Sequence, residues 1–406
     1  MKVKYLALAV AAACVAPAAQ ADVTIAGTFA PVMLYTNNGS QDTTAAGAGP
    51  LGAGSGALGG KSSFSNFQPD NASNRFSITS TEDLGNGGSA GAFVDIRGAQ
   101  GGFNNQNAPG DSGLVAFRYG ASIGGGWGKL EFGRNFSPYT WTMINNDPHQ
   151  GAIYFGGYQI IGQAGAQGFW HSSNTTHSFI RTATGVHYFS PDLSGFSFKA
   201  SYISQGNKTA NTATTTGTKE TSEVSLSADF APADMPFYLG AAYSNRKNGN
   251  GVAPMSTGLG LAQTQTAGSG STDTAIMAGG GVKFGDLKVG IWVDQVKYKS
   301  DGVTAGLSEV KRTAVWIPVT YALPTGSLGA AYISAGDLKG SNASAGGFNG
   351  NDTGAQILQL SYSHNISKQT QALAMWSYTS ADKFSLYGAQ YGAKSNQVIF
   401  GIQHSF

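Results

Sequence analysis

Most of this chain alternates. Segments of about ten residues carry apolar side chains on one face and small or polar ones on the other, and turn-forming residues close each segment. Leu287, Val289, Ile291 and Val293 fall opposite Lys288, Gly290, Trp292 and Asp294. Ile276, Ala278, Val282 and Phe284 fall opposite Met277, Gly279, Gly281 and Lys283. Phe196, Phe198, Ala200 and Tyr202 repeat the pattern, as do Val224, Leu226, Ala228 and Phe230, and Phe237, Leu239, Ala241 and Tyr243. A two-residue period is the period of a strand, and helical spacing fits these segments less well. The chain is therefore all-β.

The connections alternate too. Short ones of turn composition run through Glu82-Asp83-Leu84-Gly85-Asn86-Gly87, Gly124-Gly125-Gly126, Pro191 to Gly195, Pro232-Ala233-Asp234, Gly285-Asp286, Pro324-Thr325-Gly326 and Asn365 to Lys368. Long ones lie near 37–71, 99–112, 135–178, 205–220, 247–272, 300–308, 336–353 and 381–394. Seven short turns and eight long loops join sixteen strands, with both termini on the short-turn side. An even count with that asymmetry is the arrangement of a transmembrane antiparallel barrel. The competing architecture is a large soluble sandwich or propeller, but no blade repeat is present.

Which face meets water follows from composition. The face opposite the apolar one carries Lys, Asp, Ser and Gly, which would make a poor dry core. Tyr188, Tyr202, Tyr243, Tyr321, Tyr362 and Tyr378 stand near strand ends, where interfacial girdles form. A barrel of about sixteen strands also leaves an aqueous channel. The expected fold is a 16-stranded antiparallel transmembrane β-barrel with long extracellular loops, its greasy face outward and its bore wet.

Residues 1–21 read as a secretory signal: Lys2 and Lys4, an apolar run from Tyr5 to Val15, Pro17, then Ala19-Gln20-Ala21. The apolar run is shorter than the ~20 residues of a spanning helix. Ala11-Ala12-Ala13-Cys14 is the competing lipoprotein signal, but Ala stands where Leu is usual. Cleavage after Ala21 leaves a barrel over 22–406, removes Cys14 and leaves no disulfide. It also removes two lysines, so 22 basic residues balance 22 acids, which gives no support for nucleic-acid binding. The last strand, Val398 to Phe406, alternates to the final residue and ends on an aromatic.

Four segments in chain order resemble the Gram-negative general porins, in particular the neisserial and burkholderial type. They are Asn74-Arg75-Phe76-Ser77-Ile78-Thr79-Ser80-Thr81-Glu82-Asp83-Leu84-Gly85, then Gly128 to Asn135, then Arg181 with Gly185 to Tyr188 and Ser190 to Phe196, and finally Gly401-Ile402-Gln403-His404-Ser405-Phe406. The resemblance spans essentially the whole chain. It implies a homotrimer in the bacterial outer membrane, surrounded by outer-membrane lipids and lipopolysaccharide and inserted by the barrel-assembly machinery through Phe406. Its function would be passive diffusion of ions and small hydrophilic solutes through a water-filled channel.

The resemblance further implies a third loop, here 135–178, folded inward as a constriction against basic residues on the opposing wall. Arg75, Arg134 and Arg181 match the wall arginines, and Arg97 joins them because it shares a face with Asp95. On the loop the corresponding residues are Asp147, Tyr154 and Phe155, with Tyr154 in place of the family acid; Thr79 stands where the family has Lys. Residues 139–180 hold one acid, Asp147, and no Lys or Arg, which predicts an anion-leaning neck. The alternative is that Arg75 or Arg97 merely pairs with Asp95 and leaves no bias.

Tyr139, Trp141, Tyr154, Phe155, Tyr158, Phe169 and Trp170 give the loop an aromatic character. They either pack the loop to the wall or form a stacking track for sugars or aromatic solutes. The six histidines show no His-x-x-x-His spacing, so no metal, cofactor or catalytic site is assigned. An outer-membrane phospholipase or protease is the enzymatic rival. A plugged adhesin is the structural one. Gly47 to Gly52 fits a dinucleotide fingerprint by letter only, since no helix follows it.

Overall fold

A computed structural model describes residues 22–38, 62–67, 75–99, 113–149, 181–209, 219–249, 251–252, 264–266, 269–342, 350–382 and 394–406. Residues 1–21, expected to be a signal segment, lie outside them. Among the described residues no helix is long and apolar enough to cross a membrane; the strands do the crossing.

Sixteen strands follow one another around the wall. Strand β1 is Asp22–Phe29 continued by Val32–Asn38 after Pro31, and β2 is Ser62–Phe67 with Arg75–Gly85. Then come β3 (Gly88–Ala99), β4 (Gly113–Gly125), β5 (Gly128–Phe136), helix α1 (Pro138–Asn146), β6 (Arg181–Phe189), β7 (Phe196–Thr209) and β8 (Lys219–Phe230). The rest are β9 (Phe237–Lys247), β10 (Ser271–Phe284), β11 (Leu287–Ser300), β12 (Leu307–Leu323), β13 (Gly326–Ala335 with Lys339–Asn342), β14 (Ala355–Asn365), β15 (Thr370–Ala381) and β16 (Lys394–Ser405). Each pairs antiparallel with its neighbours, and β16 pairs with β1 to close the cylinder. Closure leaves the wall without a free edge strand, which hydrocarbon demands.

The seam uses the chain end. Phe406 N donates to Gly27 O at 3.0 Å, and Gly27 N donates to Phe406 O at 2.9 Å. Thr28 then pairs with Ser405 and Phe29 with His404. The Phe406 ring lies over Gly27, where a Cβ would collide with it, and stacks near Phe29 with centroids 6.1 Å apart.

The expected faces hold. Val23, Ile25, Ile276, Ile291, Val293, Leu358, Leu360, Phe400 and Ile402 are exposed around the outside. Along β11 the burial alternates to the top of the strand, with Trp292, Asp294, Val296 and Tyr298 turned inward. The bore is not uniformly wet, however. Over β9–β14 the inner face carries an apolar cluster with Met277, Trp292, Tyr298, Trp316, Ile333 and Ile357 at its centre. Helix α1 adds Tyr139 and Met143 to the same cluster. Gly240 and Gly279 leave room for the Trp292 indole; a Cβ on Gly240 would lie 2.7 Å from its Cη2.

The long connections are partly ordered. The first contains the opening piece of β2, and the third begins with α1. Thr264–Gln265 pairs with Val303–Ala305 as a separate two-stranded ladder.

Candidate constriction of the channel

Helix α1 carries the third loop inward from the top of β5. Ser137 caps it, accepting from Thr140 N at 3.1 Å, and Pro138 occupies the first turn. Sequence reading left 135–178 as loop and missed this helix; Ser137-Pro138 was the available signal. One face of α1 is buried through Tyr139, Thr142, Met143 and Asn146. Tyr139 N donates to Ser225 Oγ at 3.2 Å on β8, and its hydroxyl donates to Asp294 on β11. Lys288 Nζ donates to Asn146 Oδ1 at 3.3 Å. The remaining face, with Trp141, Ile144 and Asn145, is open and uncharged.

Beyond the helix the chain reaches the far wall. His149 Nδ1 lies 2.7 Å from Ser361 Oγ of β14. Burial holds the imidazole down to about 4, so it is neutral at pH 7. Asp147, the loop's acid, is itself buried. Its Oδ1 accepts from His149 N at 3.0 Å, and it caps the C-terminal end of α1. Its charge is spent on local backbone.

The opposing wall is built by β2–β5. Register places Arg75 opposite Arg97, and Ser77 opposite Asp95. Asp95 is opposite Arg118 on β4. Arg118 Nε donates to Asp95 Oδ2 at 2.6 Å, while Arg75 Nη1 stands 3.7 Å from the same oxygen. Arg118 also donates to Asn135 Oδ1 at 3.4 Å, and Asn135 Nδ2 donates to Glu131 Oε2 at 2.5 Å. Lys129 Nζ lies 2.6 Å from Glu131. Among the described side chains three cations and two carboxylates thus share one inner surface, for a net of +1. Asp95 and Glu131 are nearly inaccessible, whereas the Arg75 and Lys129 side chains are 31% and 49% exposed.

Wall and loop meet at Arg118. Its guanidinium carbon lies 5.6 Å from the Phe136 ring centre and 5.7 Å from that of Trp141. Trp141 stands edge-on to Phe136 at 5.2 Å.

The site residues expected from sequence divide as follows. Arg75 takes its place in the cluster, and the backbone of Arg97 sits beside it in register. Arg134 does not join them. It pairs with Tyr119 and Thr184, two residues from Phe132, and so belongs to the outward row. The reason is strict alternation: Glu131 and Asn135 turn inward, and Arg134 between them turns away. The backbone of Arg181 pairs with Phe136 at the top of β6. Tyr154 and Phe155 lie outside the described residues. Arg118 was missed, although a lone arginine within the alternating Leu114 to Ile123 segment was a usable signal. Among the described residues no group of three or more His, Cys, Asp or Glu side chains could hold a metal ion.

Three comparisons bear on this arrangement. The family model for Gram-negative porins matches residues 6–383. Outer membrane porin protein 32 of Delftia acidovorans is 26% identical over 427 aligned residues, covering 100% of both chains. Among solved structures, an anion-selective porin from Comamonas acidovorans superposes with a TM-score of 0.68 at 19% identity, covering 95% of this chain and 100% of that one. The trimer form of OmpT, an outer membrane protein of Vibrio cholerae, gives 0.61 at 12% identity, covering 95% and 99%.

Proposed function

The chain belongs to the Gram-negative porin family, and from that premise we propose that its neck favours anions. It is an outer-membrane channel for passive diffusion of ions and small hydrophilic solutes. The observation that carries the proposal is the unequal exposure of the two signs of charge. Asp95, Glu131 and Asp147 are each buried and bonded to protein groups, while Arg75 and Lys129 reach solvent. A passing ion meets the cations first, and a narrow bore with low-dielectric walls focuses their field. Arg75 and Arg118 form the proposed wall of the constriction, with Arg97 and Arg181 as further contributors. Trp141, Asp147, Tyr154 and Phe155 form the loop side. The structural relative named as an anion-selective porin is in keeping with this reading.

The proposal extends to a homotrimer, in keeping with the trimer form among the structural neighbours. It also extends to removal of residues 1–21 as a signal peptide and to assembly through Phe406. The family's members are channels, and no catalytic role is proposed. The decisive experiment is a reversal potential in a salt gradient across a planar bilayer. Anion preference is expected; cation preference overturns the proposal.

A second reading is a selective channel for sugars or aromatic solutes, because Trp141 is only half-buried on the α1 face turned away from the inner cluster. Its signature would be saturable conductance that one such solute blocks.

A further inference from the structure

At the long-loop end of an open barrel the inner face should be the wettest part of the wall. Over β11 and β12 it is not. Tyr298, Ser300, Leu307, Val310 and Arg312 stand close to the long-loop ends of these strands, and all are buried. Across the bore Arg75 stays partly exposed.

Among the described residues two connections fold over this face. After β9 the chain crosses the ends of β10 and β11. Ser271 Oγ donates to Gly249 O at 2.7 Å, and Val252 N donates to Ser300 Oγ at 3.1 Å. Between Ala335 and Ala355, Leu338 N donates to Thr353 Oγ1 at 2.7 Å. Asp337 Oδ1 accepts from Thr353 N and from Gly354 N, each at 2.9 Å. Val252 and Leu338 join Leu307, Val310 and Trp316 in the apolar cluster of the inner wall. Loops and wall therefore share one core.

Arg312 ties the second connection down. Its Nε donates to Gly336 O at 3.1 Å and its Nη2 to Thr353 O at 3.4 Å. One guanidinium thus holds both ends of the stretch between Ala335 and Ala355, and the carboxylates of Asp337 and Asp382 lie within its electrostatic reach. Burying a guanidinium is costly, and an apolar side chain of the same length would fill the place without that cost. What the arginine adds is a planar fork that bonds two carbonyls at once.

We propose that Arg312 is the positioning residue of a roof over the β9–β14 half of the outer mouth, and that this roof screens solutes by size before they reach the neck. Entry is then confined to the uncovered half, and the channel carries two filters in series. The role rests on the chain's being a diffusion channel, not on the sign of charge at its neck.

The test uses the purified full-length barrel in liposomes. Swelling rates are measured in a pentose and in a disaccharide, and their ratio reports size exclusion independently of the number of channels. Arg312→Met fills the space but gives up both donors. It is expected to raise the disaccharide-to-pentose ratio about threefold, while the reversal potential in a salt gradient stays at the wild-type value because the neck is untouched. The wild-type reversal potential itself decides the neck's preference separately. Leu338→Ala loosens the same roof from its apolar side and is expected to raise the ratio in the same direction. It also stands in for Arg312→Met if heat-modifiable gel mobility shows that variant unfolded. Lys339→Gln, exposed on the same segment and in register with Lys311, is expected to match the wild type. An unchanged ratio in the folded Arg312 or Leu338 variant overturns the proposal. So does a raised ratio in Lys339→Gln, because any disturbance of the segment would then open the mouth.

Discussion

Asp95 is shared unequally by two arginines: Arg118 Nε lies 2.6 Å from Asp95 Oδ2, and Arg75 Nη1 lies 3.7 Å from that atom. Burial makes an unpaired carboxylate costly, and Arg118 alone supplies a short charge-assisted bond. The second arginine is then left largely to the bore. The alternative in which Arg75 simply cancels Asp95 does not describe this geometry.

Selectivity should respond to Arg75 and Asp95 in opposite directions. A unit charge ~6 Å from a permeating ion in water-like dielectric is worth about 0.7 kcal/mol, or about threefold in permeability. Arg75→Gln is expected to lower the anion-to-cation permeability ratio by about tenfold, because the anion loses that factor and the cation gains it. Asp95→Asn should raise it similarly. Reversal potentials of both variants in one salt gradient check the pair, and a shift of the same sign in both would contradict the assignment.

The third loop should loosen when its anchor is cut back. Tyr139 is fully buried, bonds Asp294 and packs in the inner cluster. Tyr139→Ala leaves a cavity costing about 3–5 kcal/mol and withdraws a donor from a buried carboxylate. Single-channel recordings are expected to show higher mean conductance and more current noise, without loss of the folded barrel. Unchanged conductance would mean that α1 does not set the bore.

The seam predicts a folding defect rather than a transport defect. Gly27→Leu places a side chain where the Phe406 ring lies. Displacing that ring strains the β1–β16 closure by roughly 1–3 kcal/mol. Heat-modifiable gel mobility should show melting several degrees lower, with ion selectivity unaltered.

The wall was legible in the sequence because its signal is repeated sixteen times. Alternation in Leu287 to Asp294 and turns such as Gly285-Asp286 recur at every hairpin, and each error is corrected by the neighbours. The neck offered no such redundancy. Arg134 has a motif neighbourhood shared with wall arginines, yet alternation between the inward Glu131 and Asn135 sends it outward. Arg118 has no motif; its place as a lone arginine in an alternating segment only hints at it, and its pairing with Asp95 across β3 and β4 shows what it holds. The dry inner wall was hidden because Trp292 stands on the face that also carries Lys288, Gly290 and Asp294, and nothing in that alternation shows that it joins a buried cluster with Tyr139 and Met143 of α1. Contacts between a loop and a distant strand leave no periodic trace in either.

His149 should make the loop's seat sensitive to acid. Its imidazole is buried against Ser361 and titrates at about 4, below the ordinary value near 6.5. The native loop therefore prefers the neutral ring, and a released loop binds the proton more readily. Seating is at full strength above pH 6.5 and weakens as the pH falls through 6.5 toward 4. A displacement of that size corresponds to about 3 kcal/mol across the window. Single-channel records are expected to grow noisier as the pH is lowered from 7 to 4.5. His149→Gln keeps a polar side chain of similar reach without the titration, so its noise should change much less over the same range. Wall carboxylates such as Asp95 and Glu131 are common to both proteins, and the difference between the two records isolates the imidazole. Identical pH profiles would place the acid response elsewhere in the channel.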